Sequence, residues 1–257
     1  MHIWDTCIRI ALHLDGFAMR LFFFMEVSHM QTKTKRLTES AMLIAVAVVL
    51  ELVGKMVFPP MPFGGQLTLV SMLPMVLVSY RHGVKWGLVT GLAYSLVQMA
   101  LGAGTVTAAF QPGYFGDGTM IGNAIIMCLM DYILAYTALG LGGCFRGKFG
   151  KNAVEPAQNK KGASVELCLG SVVALAGRYL CHILSGYILF AGWAEWFFTQ
   201  DGFPAWGAGL VASLSPSALG WVYSIVYNGM YMIPELILTA VAAFLVGRIP
   251  RIASLES

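Results

Sequence analysis

The stretch LCLGSVVALAGRYLCHILSGYILFAGW, residues 167–193, decides what kind of protein this is. It is long enough to cross a ~30 Å hydrocarbon core as a helix, and its only formal charge is Arg178. At about 100° per residue Arg178, His182, Ser185, Gly186 and Trp193 share roughly a third of the circumference, so one face is polar and the rest apolar. Comparable stretches recur outward in both directions, with cores near 40–57, 62–80, 86–107, 119–145 and 219–246. The expectation is an all-α membrane protein of six transmembrane helices. The second stretch contains Pro74 and reaches full length only by including 62–66, so it should be irregular at its start.

Composition agrees. Of 257 residues, 58% are hydrophobic types and 11% charged, too little polar surface to cover a water-soluble globule. The net charge of +3 is too small to mark a polyanion-binding protein, which excludes nucleic acid as a partner. Five cysteines form no C-x-x-C pair and read as packing residues, with no metal site or disulfide framework. Position of charge says more than amount. Lys33, Lys35, Arg36, Arg81, Lys85, Arg146, Lys148, Lys151, Lys160, Lys161, Arg248 and Arg251 all fall on one side of a six-span arrangement. The other side carries Asp117, Glu195 and Asp201, with Lys55 as its lone basic residue. Both termini are therefore expected in the cytoplasm, and the lipid bilayer is the first partner.

The chain divides into three regions: an N-terminal extension over 1–36, a six-helix domain over 37–247 and a cytoplasmic tail over 248–257. Residues 1–29 differ in composition from the rest of the chain, and Met30 opens MQTKTKRLTESAML, the basic cytoplasmic start expected of a polytopic protein. Translation from Met30 is the expectation. The polar segment 147–163 reads as a linker.

Motifs narrow the chemistry by elimination. Gly142–Phe149 (GGCFRGKF) matches G-x-x-x-x-G-K but has Phe where a magnesium-binding Ser or Thr is needed, and it ends a membrane stretch in place of joining strand to helix. No catalytic constellation, cofactor site or metal site stands out, so the chain is read as not an enzyme. Gly83, Gly87 and Gly91 form a smooth stripe for helix packing, and Ala41 and Ala45 make a similar pair near the start of the first stretch.

Ionisable groups at membrane depth are costly unless paired or facing a cavity. Arg178 and Glu235 read at least as well as an internal network, in which Arg178 pairs with Glu235 or Asp131, as they do as ligand contacts. Asp131, His182, Tyr223 and Asn228 suit a cavity better: one carboxylate, two hydrogen-bonding groups and several rings, a chemistry fitted to a flat, nitrogen-rich cation.

The runs LTESAMLIAVAVVLE, SMLPMVLVSYRHGVKWGLVTG, MDYILAYTALGLGG, GRYLCHILSGYILF and YSIVYNGMYMIPELILTA, in this order, resemble the ThiT family, thiamine-binding S components of energy-coupling-factor transporters. The resemblance covers about Leu37 to Val246. It implies capture of extracellular thiamine at a bacterial plasma membrane, with uptake driven by a coupling membrane protein and two ATPase subunits. It places the family's binding carboxylate on Asp131, followed by Tyr132, its histidine on His182 with Gly186 one turn on, and its Tyr and Asn on Tyr223 and Asn228. It places the coupling A-x-x-x-A on Ala41 and Ala45 and the lid loop on Pro59 to Gln66. The chain departs where Asp131 stands in place of a common Glu and Phe190 in place of a common Trp, leaving Trp193 or Trp196 to supply that ring. Two other readings remain open: an S component for another vitamin or a thiamine precursor, and a structural membrane protein with no ligand.

Overall fold

The computed structural model describes residues 32–58, 61, 65–115, 120–149 and 156–249. The expectations for Met30, for residues 1–31, for the tail from 250, for 150–155 of the linker and for most of the lid loop lie outside these residues. Two compact units are distinguished, 1–42 and 43–257. The described part of the first is the opening of α1 (Thr32–Val57). The second holds all later elements.

These are α2 (Leu73–His82), α3 (Val84–Leu101), α4 (Ala103–Ala108) and α5 (Met120–Met127). A π-helical turn Cys128–Leu134 continues α5 into α6 (Ala135–Thr137) and a 3-10 segment Ala138–Gly143. Then come α7 (Pro156–Phe190), a 3-10 turn Ala191–Trp193, α8 (Ala194–Thr199), α9 (Trp206–Ser213) and α10 (Pro216–Val246). Among the described residues there is no β-strand element. Ser215 starts α10 by accepting from the Ala218 N–H at 3.4 Å, with Pro216 at the first helical position where its missing N–H costs nothing.

Four described stretches are long and apolar enough to cross a membrane by length and composition: Lys33–Val57, Ile121–Gly143, Gly162–Thr199 and Pro216–Val246. The other two expected stretches are less regular. Residues 65–72 are not helical, and α2 begins only at Leu73 with Pro74 in its first turn, the irregular start that the proline implies. Gly102 ends α3 and separates it from α4.

Burial is inverted relative to a soluble protein. On α10, Tyr223, Ser224, Tyr227, Asn228, Tyr231, Glu235 and Thr239 are buried, while Trp221, Ile225, Ile233, Ile237, Val241 and Leu245 are exposed. The same holds for α7, where Arg178, His182 and Ser185 are buried and Leu180, Leu184 and Ile188 exposed. A contiguous exposed apolar face around a polar interior suits lipid as the surrounding solvent.

The glycines allow close backbone approach. Gly83, at φ 90°, makes the corner between α2 and α3 and is not part of a packing stripe. Gly87 and Gly91 do pack as the four-residue spacing implies, Gly87 on Ser79 and Gly91 on the Tyr136 carbonyl and Thr137. Facing them, a Cβ on Gly140 would collide with the backbone of Gly87 and Leu88. Gly140→Val is therefore expected to force α3 from the 138–143 segment and cost roughly 1–3 kcal/mol of stability or more. Thermal unfolding in detergent measures it, and an unchanged Tm would mean that the two backbones have room to part.

Candidate functional site

Within the unit 43–257 a cavity of about 400 Å³ opens between the helices. Glu51 and Lys55 of α1 form one side, with Gly65, Gln66 and Thr68 of the extended segment beside them. Gln98, Leu101, Gly102, Gly104 and Thr105 come from α3, α4 and the residue between them. Met127, Asp131, Tyr132 and Tyr136 come from the α5–α6 stretch, Arg178, His182, Gly186 and Phe190 from α7, and Tyr223, Tyr227, Asn228 and Tyr231 from α10.

The π turn makes this lining possible. Met127 and Tyr136 are nine positions apart, which at roughly 100° per residue would place them on opposite sides of a regular α-helix. A π-helix bonds i to i+5 and advances each residue by a smaller angle, so both side chains, with Asp131 and Tyr132 between them, reach the same cavity.

Asp131 holds two partners from α7. Its Oδ1 lies 2.9 Å from His182 Nδ1, and its Oδ2 accepts from the Ser185 hydroxyl at 2.6 Å. One turn along, Gly186 leaves room for α10. A Cβ there would press on Ser224 Oγ and, at 2.9 Å, on Asn228 Nδ2. Ser224 donates to the Ile183 carbonyl at 2.6 Å, and Asn228 Nδ2 donates to the carbonyls of His182 at 3.1 Å and Ser224 at 2.9 Å. Asn228 Oδ1 accepts from the Tyr231 hydroxyl at 2.7 Å. Asn228 thus stands in the cavity wall with its polar atoms tying α10 to α7.

Arg178 and Glu235 do not pair with each other. Arg178 donates to the Tyr136 hydroxyl at 3.2 Å and its guanidinium carbon sits 4.5 Å from that ring's centroid, a cation–π contact. No carboxylate among the described residues lies within ion-pair distance of it. Glu235 instead accepts from the Thr68 N–H at 2.9 Å and the Thr239 hydroxyl at 3.4 Å. The non-helical segment 65–72 brings an unpaired backbone N–H to that depth, and the carboxylate satisfies it.

Residues missed from the sequence complete the opposite wall. Glu51 is paired with Lys55 at 3.0 Å, and accepts from Gln98 and from Tyr94 at 3.3 Å. The readable signal was an E-x-x-x-K pair inside the otherwise uncharged stretch 40–57.

Of the sequence-predicted site residues, Asp131, Tyr132, His182, Gly186, Tyr223 and Asn228 all line the cavity. Trp193 does not. The helix gives way to a 3-10 turn after Phe190, which redirects Trp193 onto Trp196 at 5.9 Å between rings. Phe190 itself lines the cavity, backed by Tyr114 and Phe115 at 5.9 and 5.3 Å. Burial, with the Asp131 charge second, pushes the Tyr114 phenol above its ordinary value, so it stays neutral. The G-x-x-x-x-G-K look-alike is a 3-10 end and turns, whose Gly147 and Phe149 N–H groups donate to Glu166 at 2.9 and 2.7 Å. It holds no strand-to-helix phosphate loop.

A cavity of this make-up, with one carboxylate held by neutral donors, a histidine and six aromatic rings, is built to take a small, flat, polar ligand. Comparison with known proteins decides the kinship. The family described as "Thiamine transporter protein (Thia_YuaJ)" matches residues 37–206. The thiamine transporter ThiT of Bacillus subtilis (strain 168) is 34% identical over 208 residues, 80% of this chain and 86% of that one. The chain belongs to the thiamine transporter family. It is a family of membrane transport proteins and not of enzymes, which agrees with the apolar outer faces of α7 and α10. A solved structure of ThiT from Listeria monocytogenes matches with a TM-score of 0.57 at 19% identity, covering 87% of this chain and 99% of that one. The family's fold is therefore shared.

Proposed function

We propose that this chain is the substrate-binding S component of an energy-coupling-factor transporter, which captures extracellular thiamine for ATP-driven uptake. In this reading it spans the bacterial plasma membrane six times with both termini in the cytoplasm, α2 with its extended leader and α3 with α4 making up the second and third spans. The one-sided set of basic residues, Lys55 apart, then faces the cytoplasm, as the positive-inside rule asks. Asp131, Tyr132, His182, Gly186, Tyr223 and Asn228 form the thiamine site, with Phe190 in place of Trp193 as the ring. Ala41 and Ala45 are the docking surface for a coupling membrane protein, which joins two ATPase subunits. Both alanines are exposed and, four residues apart, lie on one face of α1.

The observation that carries the reading is the part-buried Asp131–His182 pair set among aromatic rings. Thiamine joins a flat aminopyrimidine to a permanently cationic ring, and such a cavity offers a carboxylate, a hydrogen-bonding imidazole and π faces to both. Titration of the purified protein with thiamine, followed by calorimetry, is expected to give a saturable change. A correctly folded sample with no saturable response would overturn the assignment.

A further inference from the structure

Between α7 and α10 the chain folds back through α8, a turn and α9, and these pieces pack on one another. Phe198 meets Phe203 edge to face at 5.4 Å between ring centres, and Phe203 meets Trp206 at 5.0 Å. In the turn the Phe203 N–H donates to the Gln200 carbonyl at 2.9 Å, and Gln200 Nε2 donates to the Phe197 carbonyl at 3.2 Å. Gly207 lies against the Phe198 carbonyl and the Phe203 ring, where a Cβ would collide. The result is a small cap with an aromatic centre of its own.

One ring of this cap also packs on α10. Phe197, only 7% exposed, stands edge to face with Tyr223 at 5.3 Å and with Tyr227 at 5.8 Å. Both tyrosines line the cavity, and Phe197 does not. Two other cavity tyrosines are oriented through their hydroxyls, Tyr231 by donating to Asn228 and Tyr136 by accepting from Arg178. For Tyr223 and Tyr227 the bracing comes from rings: they are one turn apart on α10, 5.6 Å from each other, and share Phe197. A helical tyrosine chooses between two χ1 wells, and a ring packed against both side chains favours one combination.

We infer that Phe197 is a positioning residue for the ligand, fixing the Tyr223 and Tyr227 rings in the cavity wall without touching the ligand itself. The α8–α9 cap thereby contributes to affinity by preorganisation, since a ligand meets a wall already set and orders no side chain there. The inference rests on the reading of the cavity as a thiamine site. Phe198 is the internal comparison: at 1% exposure it is at least as buried and belongs to the same cap, but its ring contacts are Phe197, Phe203 and Trp206, none of which lines the cavity.

Two measurements test it, with Tm recorded for every variant. In calorimetry Phe197→Leu should bind thiamine about tenfold more weakly than wild type, and Phe198→Leu within about threefold, although both lose one cap ring. Phe197→Tyr, which keeps the ring, should also stay within about threefold. Unchanged affinity in Phe197→Leu overturns the inference, and equal losses in the two leucine variants overturn it in favour of general cap stability. Should Phe197→Leu not fold, Phe197→Met removes the same ring and takes its place. The second measurement needs no ligand. In 13C-tyrosine-labelled protein in detergent, the ring signals of Tyr223 and Tyr227 are assigned by their loss in Tyr223→Phe and Tyr227→Phe. Phe197→Leu should broaden or double both, as the rings gain a second rotamer, and Phe198→Leu should leave them sharp. Sharp single signals in Phe197→Leu overturn the inference. No binding of thiamine by the wild-type protein would instead sink the functional reading, and the ring signals would still report whether Phe197 holds the two tyrosines.

Discussion

Asp131→Asn weakens thiamine binding by about 2–5 kcal/mol, roughly thirtyfold to several thousandfold in Kd, in titration calorimetry of the purified protein. The size follows from how the two carboxylates of the cavity are balanced. Glu51 is already neutralised by Lys55 at 3.0 Å. Asp131 is held by Ser185 and His182 and not by Lys55, so of the two carboxylates it is the one set to meet a ligand cation withdrawn from water, while Arg178, in the same cavity, is spent on the Tyr136 ring and hydroxyl. The substitution keeps shape and hydrogen bonding. The amide carbonyl accepts from His182, the amide N–H₂ faces Ser185, and that hydroxyl turns to its own helix carbonyl, as serines in helices do. What disappears is charge. Unchanged affinity in a folded Asp131→Asn protein would show that some other group balances the ligand.

Ala41→Trp and Ala45→Trp are each expected to abolish thiamine uptake in cells and recovery of the coupling partner, while thiamine affinity stays within about threefold of wild type. Neither alanine lines the cavity, and both are exposed, so a large side chain can be added without displacing a ligand contact. The effect falls on close approach of a second helix, which small residues permit and an indole prevents. If the alanines served packing within this chain, overfilling that contact would cost about 1–3 kcal/mol and lower Tm and affinity together. Affinity, Tm and partner recovery measured on the same two proteins separate these cases. Normal uptake by both variants would remove this surface from the coupling step.

Asp131, His182 and Asn228 could be found from the sequence because hydrocarbon makes polar side chains conspicuous, and helical spacing put His182 on a polar stripe of its span. For Arg178 and Glu235 the same reasoning could only weigh an internal pair against ligand contact; Arg178 lines the cavity, and Glu235 is met by a backbone N–H in segment 65–72, which has no periodicity to reveal its depth. Trp193 was misplaced by extrapolating α-helical pitch past Phe190, where the chain tightens into a 3-10 turn. Glu51 went unnoticed because Lys55, four residues on, makes it look like a local surface pair. Ser185 was visible only as a neighbour on the polar stripe; its bond to Asp131 needed coordinates.

The π turn at Cys128–Leu134 gives this span a dependence on its gene that no single substitution would expose. Such a turn differs from a regular helix by about one inserted residue, so one codon separates the two forms. Deleting it would rotate everything downstream by roughly 100°, carrying Tyr136 away from Arg178 and the cavity while leaving every other encoded side chain intact. Across relatives, therefore, an aspartate-tyrosine pair at this place is equivalent to Asp131 and Tyr132 only where the chain length between the flanking helical turns is also preserved.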